Sequence, residues 1–300
     1  MILSNETFSF KIGTFECIVV SDGTFAYARP AQNVFINFFV DAPKERLGRA
    51  LGKHNLDPER WEAYVSPYLC LVVITGQHRV LVDTGAGGLA PTTGKLIQNL
   101  QSKGIEPKDI DKVILTHAHP DHIGGSIDSG GKPAFPNARY VMWKSEWDFW
   151  TSEKAEAAVG ELKLEEHGKE LLLKVARHNL LSIQDQIDLI DHETEILPGI
   201  HAIHAPGHTP GHMAVAVSSS GEQLLCISDA AIHPIHLEEP DWYAAVAINP
   251  EKVVASRRRL LERAATEKAL VLVFHFPFPG LGHVVQKGEG WQWQPVETKV

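Results

Sequence analysis

Three imidazoles and a carboxylate fall within six residues of Thr116-His117-Ala118-His119-Pro120-Asp121-His122-Ile123-Gly124-Gly125, directly after the short apolar run at 112–115. A lone histidine is ordinarily a packing or surface residue, but packing does not explain four ligand-type side chains at the mouth of one strand. Neutral imidazole and carboxylate are the donor set of zinc and related divalent ions. In an extended segment His117 and His119 point to the same side, so both can reach one ion. Asp121 and His122 open the helix that follows and turn toward a neighbouring position.

Four clustered ligands do not complete two sites, so distant ones are expected. Gly207-His208-Thr209-Pro210-Gly211-His212 follows an apolar segment at 200–204, and Asp229 stands just beyond Leu225-Cys226-Ile227-Ser228. His275 ends the run Val271-Leu272-Val273-Phe274. Three separate apolar strands thus each deliver one ligand-type residue. An α/β protein gathers a site at one edge of its sheets in this way.

The elements that must position these residues alternate strand and helix. Strands are expected at 15–20, with a turn at Ser21-Asp22-Gly23, and at 68–75 and 80–82, joined by a hairpin at Gly76-Gln77. Further strands are expected at 112–115, 138–142, 186–190, 200–204, 213–217, 224–227 and 269–274. Helices are expected over 93–103, ending at Gly104, over 152–181 with a break near Gly168, and over 250–268. Strands precede and follow the middle helices, which predicts two sheets with helices on their outer faces. No linker-type stretch or repeat interrupts the 300 residues, so one domain spanning 1–300 is expected.

Composition limits the partners. The chain is 44% hydrophobic and 22% charged, ordinary for a globular protein with a sizeable core. Its formal net charge is −9, from 28 basic and 37 acidic residues, which disfavours nucleic acid and anionic membrane as partners. Cys17, Cys70 and Cys226 each lie in an apolar strand-like run and read as buried, reduced thiols. The N-terminus carries Glu6, Lys11, Glu16 and Asp22 without a continuous apolar stretch, so a cytoplasmic location is expected.

With these residues in view, the chain resembles the metallo-β-lactamase superfamily. The resemblance rests on H-x-H-x-D-H at 117–122, the G-H-T-P-G-H turn, a bridging Asp, a final His and the upstream Val82-Asp83-Thr84-Gly85. The tail Phe274-His275-Phe276-Pro277-Phe278-Pro279-Gly280-Leu281-Gly282-His283 and the start Phe10-Lys11-Ile12-Gly13 are similar to the methyl parathion hydrolase and lactonase-like branch. The resemblance implies an αββα sandwich and two divalent ions, zinc first, with manganese, cobalt or iron as alternatives. It implies that His117, His119 and His208 hold one ion, that Asp121, His122 and His275 hold the other, and that Asp229 bridges them. A shared hydroxide would then attack an ester-like bond of a small, uncharged, hydrophobic substrate: a lactone, aryl ester or phosphotriester. Asp121 would also accept a proton from that water, and Asp83 would orient a ligand imidazole or serve simply as the turn residue before Gly85.

Two rival readings follow from the same residues. A mononuclear iron dioxygenase acting on persulfides would use His117 and His119 and leave His122 and His275 idle. A non-catalytic metal-stabilised domain would not need all seven ligands. The other histidines read as surface residues (His54, His78, His167, His178, His192, His201) or as packing near the site (His204, His212, His283), with His233 a candidate to face substrate. Trp143 reads as core, whereas Trp147, Phe149, Trp150, Phe276 and Phe278 are candidates for a pocket wall. The stretch 152–181 admits three uses: a cover over the pocket, a contact between two copies in a homodimer, or a plain outer helix.

Overall fold

The computed structural model describes residues 6–28, 34–57 and 63–297. They form two sheets of seven strands, each drawn from one half of the chain. The first runs, in spatial order, β1 (Thr7–Ile12), β2 (Phe15–Ala28), β3 (Ala63–Ile74), β4 (Arg79–Val82), β5 (Lys112–Ile114), β6 (Arg139–Trp143) and β7 (Ile187–Ile190). Its pairs are antiparallel as far as β4 and parallel from β4 to β7. The second sheet comprises β8 (Thr194–Leu197), β9 (Ile200–His204), β10 (Met213–Ser219), β11 (Glu222–Cys226), β12 (Leu270–Leu272), β13 (Leu281–Lys287) and β14 (Gly290–Pro295). All of its pairs are antiparallel except β11 with β12, which the helix Pro250–Glu267 connects. A parallel pair needs such a crossover.

The central strands are buried on both faces, which is why they read as continuous apolar runs rather than alternating ones. Along β3, Leu69, Leu71 and Val73 face the second sheet, where Val215, Val217 and Leu272 meet them. Cys70 and Val72 face the opposite layer, packed with Leu96 and Leu100 of the helix Leu96–Ser102 and with Trp150 and Leu180. Leu260, Leu261 and Ala264 of Pro250–Glu267 cover the outer face of the second sheet. The order is helix, sheet, sheet, helix, as expected. Leu71 is fully buried between the sheets, and its truncation to Ala would cost about 2–5 kcal/mol. Cys17, Cys70 and Cys226 are buried free thiols, and burial pushes the Cys17 thiol up to about 12. No helix of the described residues is long and apolar enough to cross a membrane.

Several local expectations need correction. Ser21-Asp22-Gly23 is not a turn but a bulge inside the fourteen-residue β2, where the register to β3 shifts between Ser21 and Gly23. The bulge turns the Asp22 carboxylate inward, where it accepts hydrogen bonds from the amides of Ala86, Gly94 and Leu96. The helix expected from 93 begins at Leu96, because Gly94 stands at φ 79°, outside the helical region. The stretch 152–181 holds two helices, Lys154–Gly160 and Glu166–Ser182. Their break falls at 161–165, and Gly168 lies within the second helix with open space at its Cα. The expected hairpin at Gly76-Gln77 is present, closed by the Ile74–Arg79 pair.

Candidate metal centre

Strand direction brings the ligand-type residues together. β4 and β5 run parallel, and β9, β11 and β12 share one direction because β10 is antiparallel to both β9 and β11. Asp83 follows β4, Thr116 to His122 follow β5, His208 follows β9, Asp229 follows β11 and His275 follows β12. All five segments therefore leave their sheets at carboxyl ends. Met213 N–H donates to the Thr116 carbonyl at 3.0 Å, tying the two sheets at this edge.

His117, His119, His208 and Asp229 form one group whose ligand atoms lie within 4.8 Å of one another, and Asp121, His122 and His275 form a second. Asp229 stands between the groups and divides its oxygens. Its Oδ2 lies 3.2 Å from His208 Nε2 and 3.9 Å from His117 Nε2. Its Oδ1 lies 3.2 Å from both His122 Nε2 and His275 Nε2. Asp121 Oδ2 is 3.4 Å from His275 Nε2 and 3.8 Å from His122 Nε2. The buried Nε2 atoms of His117, His119 and His122 and the Oδ1 of Asp229 have no hydrogen-bond partner. Buried polar atoms left unpaired cost about 1–3 kcal/mol each, and a divalent cation would satisfy those of His117, His122 and Asp229; His119 Nδ1 and His208 Nε2 face each other at 2.8 Å beside them. The donor set fits two such ions.

The far sides of His117, His122 and His275 are held. Asp83, at φ 59°, accepts from His122 Nδ1 at 2.7 Å, from Thr116 N at 2.7 Å and from Thr116 Oγ1 at 2.7 Å. A carboxylate only accepts, so His122 carries its proton on Nδ1 and turns Nε2 inward. Thr116, having donated its hydroxyl proton to Asp83, accepts from His117 Nδ1 at 3.1 Å and from Ser228 Oγ at 2.9 Å. His275 Nδ1 donates to the Pro67 carbonyl, 3.2 Å away, with Ser66 Oγ at the same distance. Replacing Asp83 with Ala should weaken metal retention and turnover by about 10–100-fold, the usual cost of losing such an outer partner. Titration with a competing chelator measures it, and unchanged affinity would remove Asp83 from the network.

Burial sets the protonation of the group, with neighbouring charges deciding the sign. Desolvation, reinforced by the adjacent imidazoles, keeps His117 and His119 well below the ordinary histidine value and therefore neutral. Burial opposes charge on His122 too, yet Asp229, Asp83 and Asp121 outweigh it and raise its pKa well above normal. For Asp229, burial is overcome by His275, His122 and His208, which hold the carboxyl well below its usual range.

A cavity of about 260 Å³ opens onto this cluster through His119, Asp121, His208, Asp229 and His275. Phe25, Tyr27, Phe38 and Tyr68 wall one side, and Leu171, Leu172 and Leu164 from the 154–182 region wall another. No Lys or Arg lines it among the described residues. The aromatic wall differs from the one expected: Phe149, Trp150 and Phe276 are core, and Trp147 and Phe278 pack against core clusters. Trp143 is core, as expected, stacked on His204 at 4.3 Å between ring centroids. Tyr27 and Phe25 were missed because they lie beyond the bulge mistaken for a turn. His233 is buried beside Phe39 and His54 and does not line the cavity. His283 hydrogen-bonds the Ala269 carbonyl rather than approaching the centre, and His54 is half-buried on Glu238. His212 is buried behind the centre, donating from Nδ1 to Ala205 O and accepting Asp229 N–H at Nε2.

Comparison with known proteins agrees with this geometry. The family model described as the metallo-beta-lactamase superfamily matches residues 63–290. An N-acyl homoserine lactonase of Bacillus sp is 27% identical over 260 residues, covering 79% of this chain and 92% of that protein. The solved structure of AidC, a dizinc quorum-quenching lactonase in complex with a product, superposes with a TM-score of 0.88 at 29% identity, over 98% of both chains. A hydrolase in the beta lactamase superfamily, AbOPH, superposes with a TM-score of 0.84 at 25% identity, over 98% of this chain and 99% of that one.

Proposed function

Because this chain belongs to the metallo-beta-lactamase superfamily, we propose that it is a two-metal lactonase that opens the ester ring of an N-acyl homoserine lactone. The observation that carries the reading is the division of the Asp229 carboxylate, one oxygen toward each histidine group. His117, His119 and His208 would hold one ion and Asp121, His122 and His275 the other, with Asp229 shared. When bound, a pair of this kind lowers the pKa of a water toward about 7 and polarises a carbonyl oxygen.

The protein's own residues supply the rest. Asp121 is the carboxylate most open to the cavity, its side chain 18% exposed against 5% for Asp229. It takes the proton of the attacking water and passes it to the leaving alkoxide. Tyr68 lines the cavity with its ring 5.5 Å from that of His275, and burial raises its pKa, so it stays a neutral phenol there. Phe38, Leu172, Ile232 and Val246 give an acyl chain an apolar bed. A wall without cations suits an uncharged ring better than a phosphodiester, whose charge calls for basic residues. The residues Leu164, Leu171 and Leu172 make 154–182 part of the cover over the site.

Zinc-loaded protein should carry close to two metal equivalents and open the ring of N-acyl homoserine lactones. Each added acyl CH₂ is worth about 0.8 kcal/mol when buried, so kcat/KM should rise up to about fourfold per methylene until the cavity is filled. Failure to open any lactone with zinc, manganese or cobalt bound, while a phosphotriester is cleaved, would overturn this substrate assignment.

A further inference from the structure

Glu146 is fully buried, carries no basic partner among its hydrogen bonds, and is not one of the ligand-type residues of the centre. A carboxylate without a counter-charge in the interior is costly unless its oxygens are well satisfied. Here they are satisfied by the two chain segments that carry the histidines of one metal group. Oε1 accepts from Ala118 N at 2.9 Å, the amide between His117 and His119. Oε2 accepts from Gly211 N at 2.8 Å, in the turn that carries His208. Oε1 also accepts from Trp150 Nε1 at 2.7 Å, and that indole meets the His119 ring edge-on at 5.7 Å. Ser145, the preceding residue, donates its hydroxyl to the Pro210 carbonyl at 3.2 Å. The approach is close: a Cβ at Gly211 would stand 2.3 Å from Glu146 N, so glycine is required there.

We infer that Glu146 is a positioning residue, one carboxylate that locks the His117–His119 segment against the His208 turn and so sets the geometry of a single metal position. The inference rests on the proposed division of the ligands between two ions. The second group, Asp121, His122 and His275, is oriented by Asp83, Ser66 and Pro67 and takes no hydrogen bond from Glu146. A merely structural Glu146 would, when replaced, lower stability and loosen both ions together. A positioning Glu146 loosens one.

Glu146→Gln makes the distinction. The amide keeps one acceptor oxygen, which can serve Ala118 and Trp150, but it then sets an NH₂ against the Gly211 N–H, donor facing donor. Stepwise zinc removal by a competing chelator, with cobalt(II) absorption following each site, should show one equivalent weakened by about 10–100-fold and the other little changed. Trp150→Phe, which removes one hydrogen bond and keeps the ring, should leave both near wild type. Gly211→Ala pushes the turn away from Glu146 while sparing the carboxylate. It should reproduce the selective loss, and it decides the matter if the Gln variant does not fold. Equal weakening of both equivalents, or no weakening of either, overturns the inference. A wild-type protein that binds a single equivalent instead defeats the two-metal reading on which it stands.

Discussion

Asp229→Ala protein purified in excess zinc is expected to lose both ions together and to fall in kcat/KM by about a thousandfold or more. The carboxylate is the one group shared by the two histidine sets, with Oδ2 near His208 and His117 and Oδ1 near His122 and His275. Removing it leaves five buried imidazoles with Asp121 as the one carboxylate remaining in the two groups, so two cations would be held close together with less to offset their repulsion. Metal centres typically contribute several kcal/mol of charge stabilisation in the transition state, and about 4 kcal/mol corresponds to three powers of ten in rate. Asp83→Ala, which removes only the support behind His122 and Thr116, should sit well above it in residual activity. Metal analysis beside turnover is the measurement. An Asp229→Ala enzyme that keeps two equivalents and normal turnover would falsify the shared-ligand assignment.

His275→Ala separates hydrolysis from oxidation. His275 is buried, reached by Asp229 and Asp121 at 3.2 and 3.4 Å, and anchored from behind by Pro67 and Ser66. A mononuclear oxygenase built on His117 and His119 has no use for a side chain held so firmly at the other group. Zinc-loaded wild type should open lactones without oxygen, with one solvent oxygen entering the product, and the variant should lose about a hundredfold or more, the upper end of what even an outer partner costs. Oxygen consumption by an iron-loaded form with a persulfide, unaffected by His275→Ala and unaccompanied by lactone cleavage, would replace the hydrolase with the oxygenase.

The seven ligand-type residues were legible because imidazole and carboxylate at the ends of apolar strands have little structural purpose. Their spacing along the chain also matched the edge at which parallel strands leave a sheet. Asp83 was legible only as a choice between orienting residue and turn residue, and it does both: its φ of 59° makes the turn that aims its carboxylate at His122. Glu146 was not legible. In Lys144-Ser145-Glu146-Trp147-Asp148 it looks like an ordinary charged residue near the start of a helix, and nothing local says that two distant backbone N–H groups converge on it. The one available signal was its spacing from Trp150, which places it on the buried, aromatic face of that helix. The cavity wall failed for a different reason. Reading Ser21-Asp22-Gly23 as a turn ended β2 early and removed Phe25 and Tyr27 from consideration, because a bulge and a turn share the same residue types.

The partition of the sheets between the two halves of the chain has a thermodynamic consequence. His117, His119, Asp121 and His122 leave the first sheet, whereas His208, Asp229 and His275 leave the second. Each group that can hold an ion therefore draws donors from both halves, and an ion in either position would act as a rivet through the seam. Ion binding that requires both halves in place adds to the free energy of keeping them joined, by RT ln(1 + [M]/Kd) for each site. At free metal a hundredfold above Kd, that is about 2.7 kcal/mol per site, comparable with burying a whole leucine side chain. Scarcity of metal would then weaken the seam between the two sheets by that amount for each site left empty.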